Sequence, residues 1–150
     1  MTEFEKIQGF LSAGTIAMVG ASRNKKKFGN QVLNELQSKG VNVLAVHSEA
    51  KEINGQPCFS SISELPSDVN HLFIAVQKDQ TAGVVEEAAE KGIKNIWIQQ
   101  MSDTPEAIKL ADEKGLYLIS KRCIFMYADP VKGVHKFHRT LNKLFGTYAK

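Results

Sequence analysis

Five short apolar runs recur along the chain of 150 residues, and each is nearly continuous rather than alternating between apolar and polar positions. A continuous run of this length is typical of a strand that is buried on both faces. The runs cover residues 15–19, 42–46, 71–76, 95–99 and 116–120. The pattern therefore predicts five buried strands.

Segments with a helical period of apolar positions lie between these runs, and three of them end alike. Each ends with a lysine followed by a glycine, at Lys39-Gly40, Lys91-Gly92 and Lys114-Gly115. Glycine after the last turn, with a cation at the negative end of the helix dipole, is a common C-terminal signature. Helices are predicted over residues 3–12, 29–39, 80–91, 105–114 and 131–146.

Strands and helices that alternate through short connections indicate parallel strands and right-handed crossovers. We therefore expect an α/β fold: one doubly wound domain over residues 1–150, with a five-stranded parallel sheet and helices on both faces. The longest irregular connection covers residues 48–70, and a short helix is expected near residues 61–65. The C-terminal helix, 131–146, is basic and amphipathic, and its apolar stripe predicts that Phe137 is buried against the sheet.

Composition narrows the class of protein. Hydrophobic residues make up 43% and charged residues 23% of the chain, close to the averages of globular proteins, so a disordered chain or a coiled coil is excluded. No apolar run approaches the roughly 20 residues that cross a bilayer, and the first residues do not form a secretory signal. Two cysteines are too few for a disulfide framework. We expect a cytoplasmic protein with no membrane or nucleic-acid partner.

The formal net charge is only +3, but the basic residues are clustered. Arg23, Lys25, Lys26 and Lys27 follow the first predicted strand, and residues 131–150 hold five basic residues and no acid. Such clusters on a nearly neutral body favour a specific anionic ligand or partner, although a solvated face remains the alternative. For the tail, the alternatives are a helix on the sheet, contact with an acidic partner, and contact with a second copy.

The first strand runs into a small-residue turn, Gly20-Ala21-Ser22, and the next helix opens at Phe28-Gly29. In a parallel sheet, ligands bind beyond the carboxyl ends of the strands. Free N–H groups and the positive dipole end at a helix start favour a phosphate. The segment lacks the G-x-G-x-x-G spacing of dinucleotide-binding proteins, and His47-Ser48 stands where an acidic residue would hold a ribose.

Six segments in order resemble the small stand-alone CoA-binding proteins, which are Rossmann-like relatives of the CoA-binding domain in the succinyl-CoA synthetase α subunit. The segments are Val19-Gly20-Ala21-Ser22, Phe28-Gly29-Asn30, residues 41–46, Ile53-Asn54-Gly55, Ile96-Trp97-Ile98-Gln99 and Arg122-Cys123. The resemblance covers about residues 12–128. It implies a Rossmann-like module that binds CoA or an acyl-CoA, a phosphate-bearing small molecule, without catalysing a reaction.

The resemblance also implies a role for each segment at the predicted strand tips. The CoA diphosphate would face the Gly20–Ser22 turn and the helix opening at Phe28 and Gly29, with Lys26 or Lys27 near the phosphates. The nucleotide and pantetheine would be flanked by His47, Val76, Gln77 and Lys78. The sequence departs from the family pattern at three places: His47-Ser48 replaces Asn-Pro, Met101 replaces a glycine, and Lys121 replaces an aspartate.

Three other functions remain as alternatives, and two of them are catalytic. Cys123 follows Lys121-Arg122, and nearby cations lower the pKa of a thiol, so an acyl transferase that uses Cys123 is one alternative to a buried, unreactive cysteine. A nicotinamide-dependent oxidoreductase is a second, and a ligand-sensing regulatory protein is a third. His135 and His138 share a helix face, but no further ligand stands at zinc-like spacing, so no metal site is predicted. An oligomer is compatible with the sequence.

Overall fold

The structure, a computed structural model, describes residues 2–127. Its four α-helices are α1 (Glu3–Leu11), α2 (Phe28–Ser38), α3 (Lys78–Lys91) and α4 (Pro105–Glu113). Its strands are β1 (Thr15–Val19), β2 (Asn42–Val46), β3 (Glu52–Ile53), β4 (Gln56–Pro57), β5 (His71–Ile74), β6 (Asn95–Gln99) and β7 (Tyr117–Arg122). Two 3-10 turns cover Ile62–Glu64 and Ile124–Met126.

Five strands form one parallel sheet in the order β2-β1-β5-β6-β7. From β1 the chain moves outward to β2, and it then returns to β5 on the other side of β1. The order of the strands therefore reverses between β1 and β5, which is where open α/β sheets bind their ligands. Val19 at the end of β1 is in register with Val46 of β2 and with Ile74 of β5.

Both faces of the sheet are covered, because successive residues of each strand belong to different core clusters. Ile16 and Met18 of β1 pack with buried residues of α1 and α2, whereas Ala17 packs with buried residues of α3 and α4. The α1/α2 face also holds an aromatic group in which Trp97 contacts Phe10 edge-on, with ring centroids 5.5 Å apart. The predicted doubly wound α/β fold is confirmed.

The elements predicted within residues 2–127 are present with shifted boundaries. The third sheet strand ends at Ile74 rather than at residue 76, because the chain leaves the sheet there and α3 begins at Lys78. The last strand covers Tyr117–Arg122, later than predicted, and it contains a bulge opposite β6. The short helix expected near residues 61–65 is present as the 3-10 turn Ile62–Glu64.

The connection over residues 48–70 contains a hairpin that the sequence analysis did not predict. Strands β3 and β4 pair antiparallel through the two-residue turn Asn54-Gly55, and both turn residues have a positive φ. Asn-Gly is the preferred sequence of such a turn. Ile53 of β3 is buried, so the hairpin is attached to the core next to α2.

The predicted helix 131–146, the burial of Phe137 and the pair His135 and His138 all lie outside the described residues. Within residues 2–127, no helix is both long enough and apolar enough to cross a membrane.

Candidate functional site

Gly20 brings the ends of β1 and β5 into direct backbone contact. Its φ is 111°, and a Cβ atom at this position would collide with the carbonyl oxygen of Ala75. The Ala75 N–H donates to the Val19 carbonyl oxygen at 2.9 Å. A side chain at residue 20 would therefore separate the two strand tips at the point where the strand order reverses.

Gly29 brings the start of α2 equally close to the same turn. A Cβ atom on Gly29 would collide with the carbonyl oxygen of Gly20 and crowd Ala21. Lys27 occupies the N-cap position of α2, and its side chain makes no capping hydrogen bond. The first N–H groups of a helix have no intrahelical acceptor. The start of α2 thus presents donors and a positive dipole end beside the Gly20–Ser22 turn.

The loop between this turn and α2 is folded by short side chains. Ser22 Oγ accepts the Asn24 N–H at 3.1 Å, and Asn24 Oδ1 accepts the Lys26 N–H at 3.0 Å. The Lys27 N–H donates to the Asn24 carbonyl oxygen at 3.0 Å. These turns hold the backbone of Lys26 and Lys27 next to the helix start.

The basic residues of this loop supply positive charge that is largely uncompensated. Lys25, Lys26 and Lys27 are exposed, and no ion pair of the described residues involves them. Arg23 pairs with Glu49 across 3.5 Å, and both side chains are largely exposed. Exposed cations beside an uncapped helix start attract an anion, and the attraction weakens as salt concentration rises.

Asn30 holds the loop, α2 and the hairpin together. Its amide is fully buried, and Nδ2 donates to the Ser22 carbonyl oxygen at 2.7 Å and to Asn54 Oδ1 at 3.1 Å. Asn54 Nδ2 in turn donates to Asn34 Oδ1 at 3.0 Å. Asn30 was not predicted to be a site residue. A polar residue on the buried face of α2, directly after Phe28-Gly29, was the available signal.

His47 lies at the tip of β2, one residue beyond the Val19–Val46 register pair. Its Nδ1 atom accepts the N–H groups of Glu49 at 3.1 Å and of Ala50 at 2.9 Å. This nitrogen therefore serves the local turn, in the way that an asparagine side chain does in an Asx turn. His47 reaches the predicted edge, and its Nδ1 lone pair is occupied by protein donors.

Val76, Gln77 and Lys78 follow the tip of β5 and begin α3. Gln77 is the N-cap of α3 without a side-chain hydrogen bond, and Gln77 and Lys78 are both exposed. The Val76 carbonyl oxygen accepts a hydrogen bond from Ser102 Oγ at 2.8 Å. A second uncapped helix start therefore lies next to the first, on the other side of the β1–β5 boundary.

Phe28 adds an apolar surface to this polar edge. It is 36% exposed and contacts Phe125 edge-on, with ring centroids 5.3 Å apart. Phe125 belongs to the 3-10 turn after β7, so this contact joins the start of α2 to the segment that follows the edge strand β7. Phe125 was not predicted, because its position beside α2 depends on the path of the chain after the last strand.

Cys123, the residue considered as a nucleophile, is 9% exposed, which agrees with the interpretation of a buried cysteine. Burial, together with the nearby Glu52 carboxylate, raises the pKa of the Cys58 thiol. Within residues 2–127, no three His, Cys, Asp or Glu side chains lie close enough to hold a metal ion.

Three parts of the predicted site are brought together by direct contacts. The Gly20–Ser22 turn contacts both the α2 start at Gly29 and the β5 tip at Ala75. His47 lies beside them across the β1–β2 register. Lys26 and Lys27 lie on the loop that leads into α2. The arrangement is suited to binding a phosphate-bearing molecule along the carboxyl edge of the sheet.

The chain belongs to the family of CoA binding domains, since the model of that family matches residues 14–129. The alpha subunit of the ADP-forming acetate–CoA ligase II of Pyrococcus furiosus is 28% identical over 94% of this chain and 32% of its own length. The ADP-forming acetate–CoA ligase I of Archaeoglobus fulgidus is 28% identical over 74% of this chain and 18% of its own. The chain thus spans a third or less of these curated relatives.

Small solved structures are similar over nearly their whole length. A conserved hypothetical protein from Pyrococcus furiosus is 38% identical with a TM-score of 0.71, covering 73% of this chain and 95% of its own. A hypothetical protein from Pyrococcus horikoshii is 29% identical with a TM-score of 0.79, covering 89% of this chain and 94% of its own. The predicted resemblance to small stand-alone CoA-binding proteins is confirmed.

Proposed function

We propose that this chain binds CoA or an acyl-CoA at the carboxyl edge of its sheet and catalyses no reaction itself. The diphosphate contacts the Gly20–Ser22 turn and the N–H groups at the start of α2, while Lys26 and Lys27 supply the opposing charge. His47 and the segment 76–78 flank the two arms of the ligand. CoA supplies a thiol that can carry an acyl group.

One observation carries the proposal. The glycines at residues 20 and 29 leave the turn in contact with both the β5 tip and the uncapped start of α2. Three unpaired lysines stand on the adjoining loop. Backbone donors, a helix dipole and mobile cations around one point are complementary to a diphosphate. Membership of the CoA-binding family indicates which diphosphate it is.

Calorimetric titration with CoA tests the proposal, and thermal unfolding provides an independent measurement. A ligand at a hundredfold excess over its Kd stabilises the folded state by about 2.7 kcal/mol. For a chain of this size, Tm should rise by about 5–10 °C. No heat of binding and no change of Tm in millimolar CoA would overturn the proposal.

The double variant Lys26→Ala/Lys27→Ala should bind CoA about 10- to 30-fold more weakly at low salt, since each lost charge contributes on the order of 1 kcal/mol. The difference should shrink at high salt because the charges are exposed. The variant Lys6→Ala/Lys94→Ala is the matched control, because it removes two exposed lysines that form no ion pair among the described residues and lie near the starts of β5 and β6, at the opposite end of the strands. Equal losses in both variants would show that net charge, rather than a site, attracts the ligand.

The catalytic alternatives have their own tests. An acyl transferase that uses Cys123 requires a thiol that reacts quickly with a thiol reagent in the folded protein and is protected by CoA. A thiol that reacts only after denaturation excludes this alternative. Binding of NAD(H) in competition with CoA would favour the oxidoreductase. A protein that is captured from extract only in the presence of CoA would favour a regulatory role.

A further inference from the structure

Met101 combines two locally unfavourable features. Its φ is 76°, in the left-handed region that disfavours residues with a side chain, and the side chain is 73% exposed although it is large and apolar. The left-handed conformation costs conformational energy, and the exposed thioether gains nothing from burial. Strained residues persist where the surrounding structure determines them, and they concentrate at ligand sites.

The loop that carries Met101 is firmly held. The carboxylate of Asp103 accepts the Met101 N–H at 3.2 Å, and the Ser102 N–H donates to the Gln99 carbonyl oxygen at 2.9 Å. The buried hydroxyl of Thr81 donates to the Ser102 carbonyl oxygen at 2.7 Å. Because these bonds fix the backbone on both sides of residue 101, they keep the Met101 side chain directed into solvent.

A chain of contacts connects Met101 to the proposed diphosphate site. Gly20 contacts Ala75, and the next residue, Val76, accepts a hydrogen bond from Ser102, the neighbour of Met101. Met101 follows β6, two strands from β1, which corresponds to roughly 10 Å along the edge. The pantetheine arm of CoA is long enough to cover that distance.

The two directions away from the diphosphate site differ in the apolar surface that they offer. Toward β2, a polar groove of about 560 Å³ is lined by Arg23, Lys25, Asn34, Glu52, Ile53 and Asn54. Toward β6, the exposed Gln77, Lys78 and Gln100 are polar, and Met101 adds a large apolar side chain that is exposed. The phosphorylated nucleotide of CoA matches the polar groove toward β2, and an apolar group matches Met101. The pantetheine arm and anything bound to its sulfur then extend toward β6.

We propose that Met101 is the acyl-binding contact of this site. Its side chain packs against the apolar acyl group of an acyl-CoA thioester, so the protein binds acyl-CoA in preference to free CoA. The inference rests on the proposed function, because the orientation of the ligand depends on the diphosphate at β1. Packing against the acyl chain covers the apolar surface that Met101 exposes in the free protein.

Calorimetric titration of the wild-type protein with CoA, acetyl-CoA and hexanoyl-CoA tests the preference. Complete burial of one methylene strengthens binding about fourfold. Partial cover of a hexanoyl chain by one side chain should therefore make hexanoyl-CoA bind about tenfold more tightly than CoA, with acetyl-CoA in between. The variant Met101→Gln keeps the length of the side chain and the left-handed backbone, and it should reduce the ratio to about one. Met101→Leu should retain the preference.

Two further variants separate contact from conformation. Met101→Gly relieves the left-handed strain, so it should not lower Tm, and it should retain CoA affinity while losing the acyl preference. Tyr117→Ala is the matched control, because Tyr117 is 66% exposed but lies at the start of β7, at the end of the strands that faces away from the carboxyl edge. This variant should keep the tenfold ratio.

The outcomes distinguish the inference from the function on which it rests. If the wild-type protein binds CoA and hexanoyl-CoA equally, or if Met101→Gln leaves the preference unchanged, the role of Met101 is wrong and CoA binding stands. If the wild-type protein binds neither compound, both proposals fail.

Discussion

The carboxyl edge of the sheet is built in one way at β1 and in another at β6. At β1, Gly20 adopts a φ of 111° and Gly29 lies against it, and neither position has room for a Cβ atom. At β6, Met101 adopts a φ of 76° and carries an exposed side chain. Glycine removes the side chain where backbone segments approach each other closely. A strained residue appears where a side chain is presented instead.

Both loops nevertheless use the same device for support. A buried polar side chain on a helix donates to a carbonyl oxygen of the loop: Asn30 of α2 to Ser22, and Thr81 of α3 to Ser102, each at 2.7 Å. Buried hydrogen bonds of this kind fix a loop because leaving the partner unsatisfied costs its full desolvation energy. The difference between the two regions therefore lies in the side chains that the loops present at the carboxyl edge, and not in how the loops are held.

The largest effect on stability is expected when a methyl group is added to Gly20 or Gly29, near the end of β1. Gly20→Ala and Gly29→Ala place a Cβ against backbone carbonyl oxygens that have no flexible side chain to move aside. Each should lower the free energy of unfolding by about 3–5 kcal/mol, measured by urea denaturation. Gly83→Ala is the control: it lies in α3 with no atom near its Cβ, and it should stabilise the fold by about 0.5–1 kcal/mol. Equal effects at all three positions would contradict the close approach.

Asn30→Ala should have the next largest effect, because it leaves the Ser22 carbonyl oxygen and Asn54 without their buried donor. We expect a loss of about 2–3 kcal/mol, together with weaker CoA binding as the loop loosens. Asn34→Ala removes an exposed member of the same amide cluster and should cost less than about 1 kcal/mol. The free energies of unfolding of the two variants are measured by calorimetry and compared. If Asn34→Ala cost as much as Asn30→Ala, burial would not be the cause.

The smallest effect on stability is expected at His71, the first residue of β5, which lies at the amino end of the strands. Burial lowers the pKa of His71 below its ordinary value of 6.5, so the unfolded chain binds the proton more tightly than the folded protein does. The contribution of neutral His71 to stability is fully present above the ordinary pKa of 6.5. It is lost as pH falls from there toward the lowered pKa of the folded protein. Tm of His71→Gln should therefore fall less between about pH 7.5 and pH 5 than Tm of the wild-type protein. If Tm of the two proteins fell equally with pH, the burial of His71 would not contribute to stability.

Much of the candidate site was predicted because it depends on local pattern. The Gly20–Ser22 turn and the α2 start at Gly29 are consecutive in the chain, so a strand followed by a small-residue turn and a helix identifies them. His47 follows from the end of β2 in the same way. Asn30 and Phe125 were missed because their roles depend on segments distant in sequence: Asn54 for the first and Phe28 for the second.

The boundaries were less accurate than the elements. Val76 was assigned to a strand because it continues an apolar run, but the Ala75 and Val76 backbone leaves the sheet to reach Gly20 and Ser102. An apolar residue such as Val76 can lie half-buried in a loop as well as in a strand, so apolar character alone does not locate the end of a strand. The Asn54-Gly55 hairpin was missed for a related reason: its strands have two residues each, too few to show alternation.

The sequence by itself determined the class of fold, the succession of strands and helices along the chain, and the turn after β1, because continuous apolar runs, helical periods and terminal glycines are local consequences of burial and backbone geometry. The order of the strands within the sheet and the contacts at its carboxyl edge were decided only by the tertiary structure. Whether Met101 lies near Val76, or Asn30 near Asn54, depends on which strands are neighbours. Those contacts join residues far apart in the chain, and no local pattern encodes them.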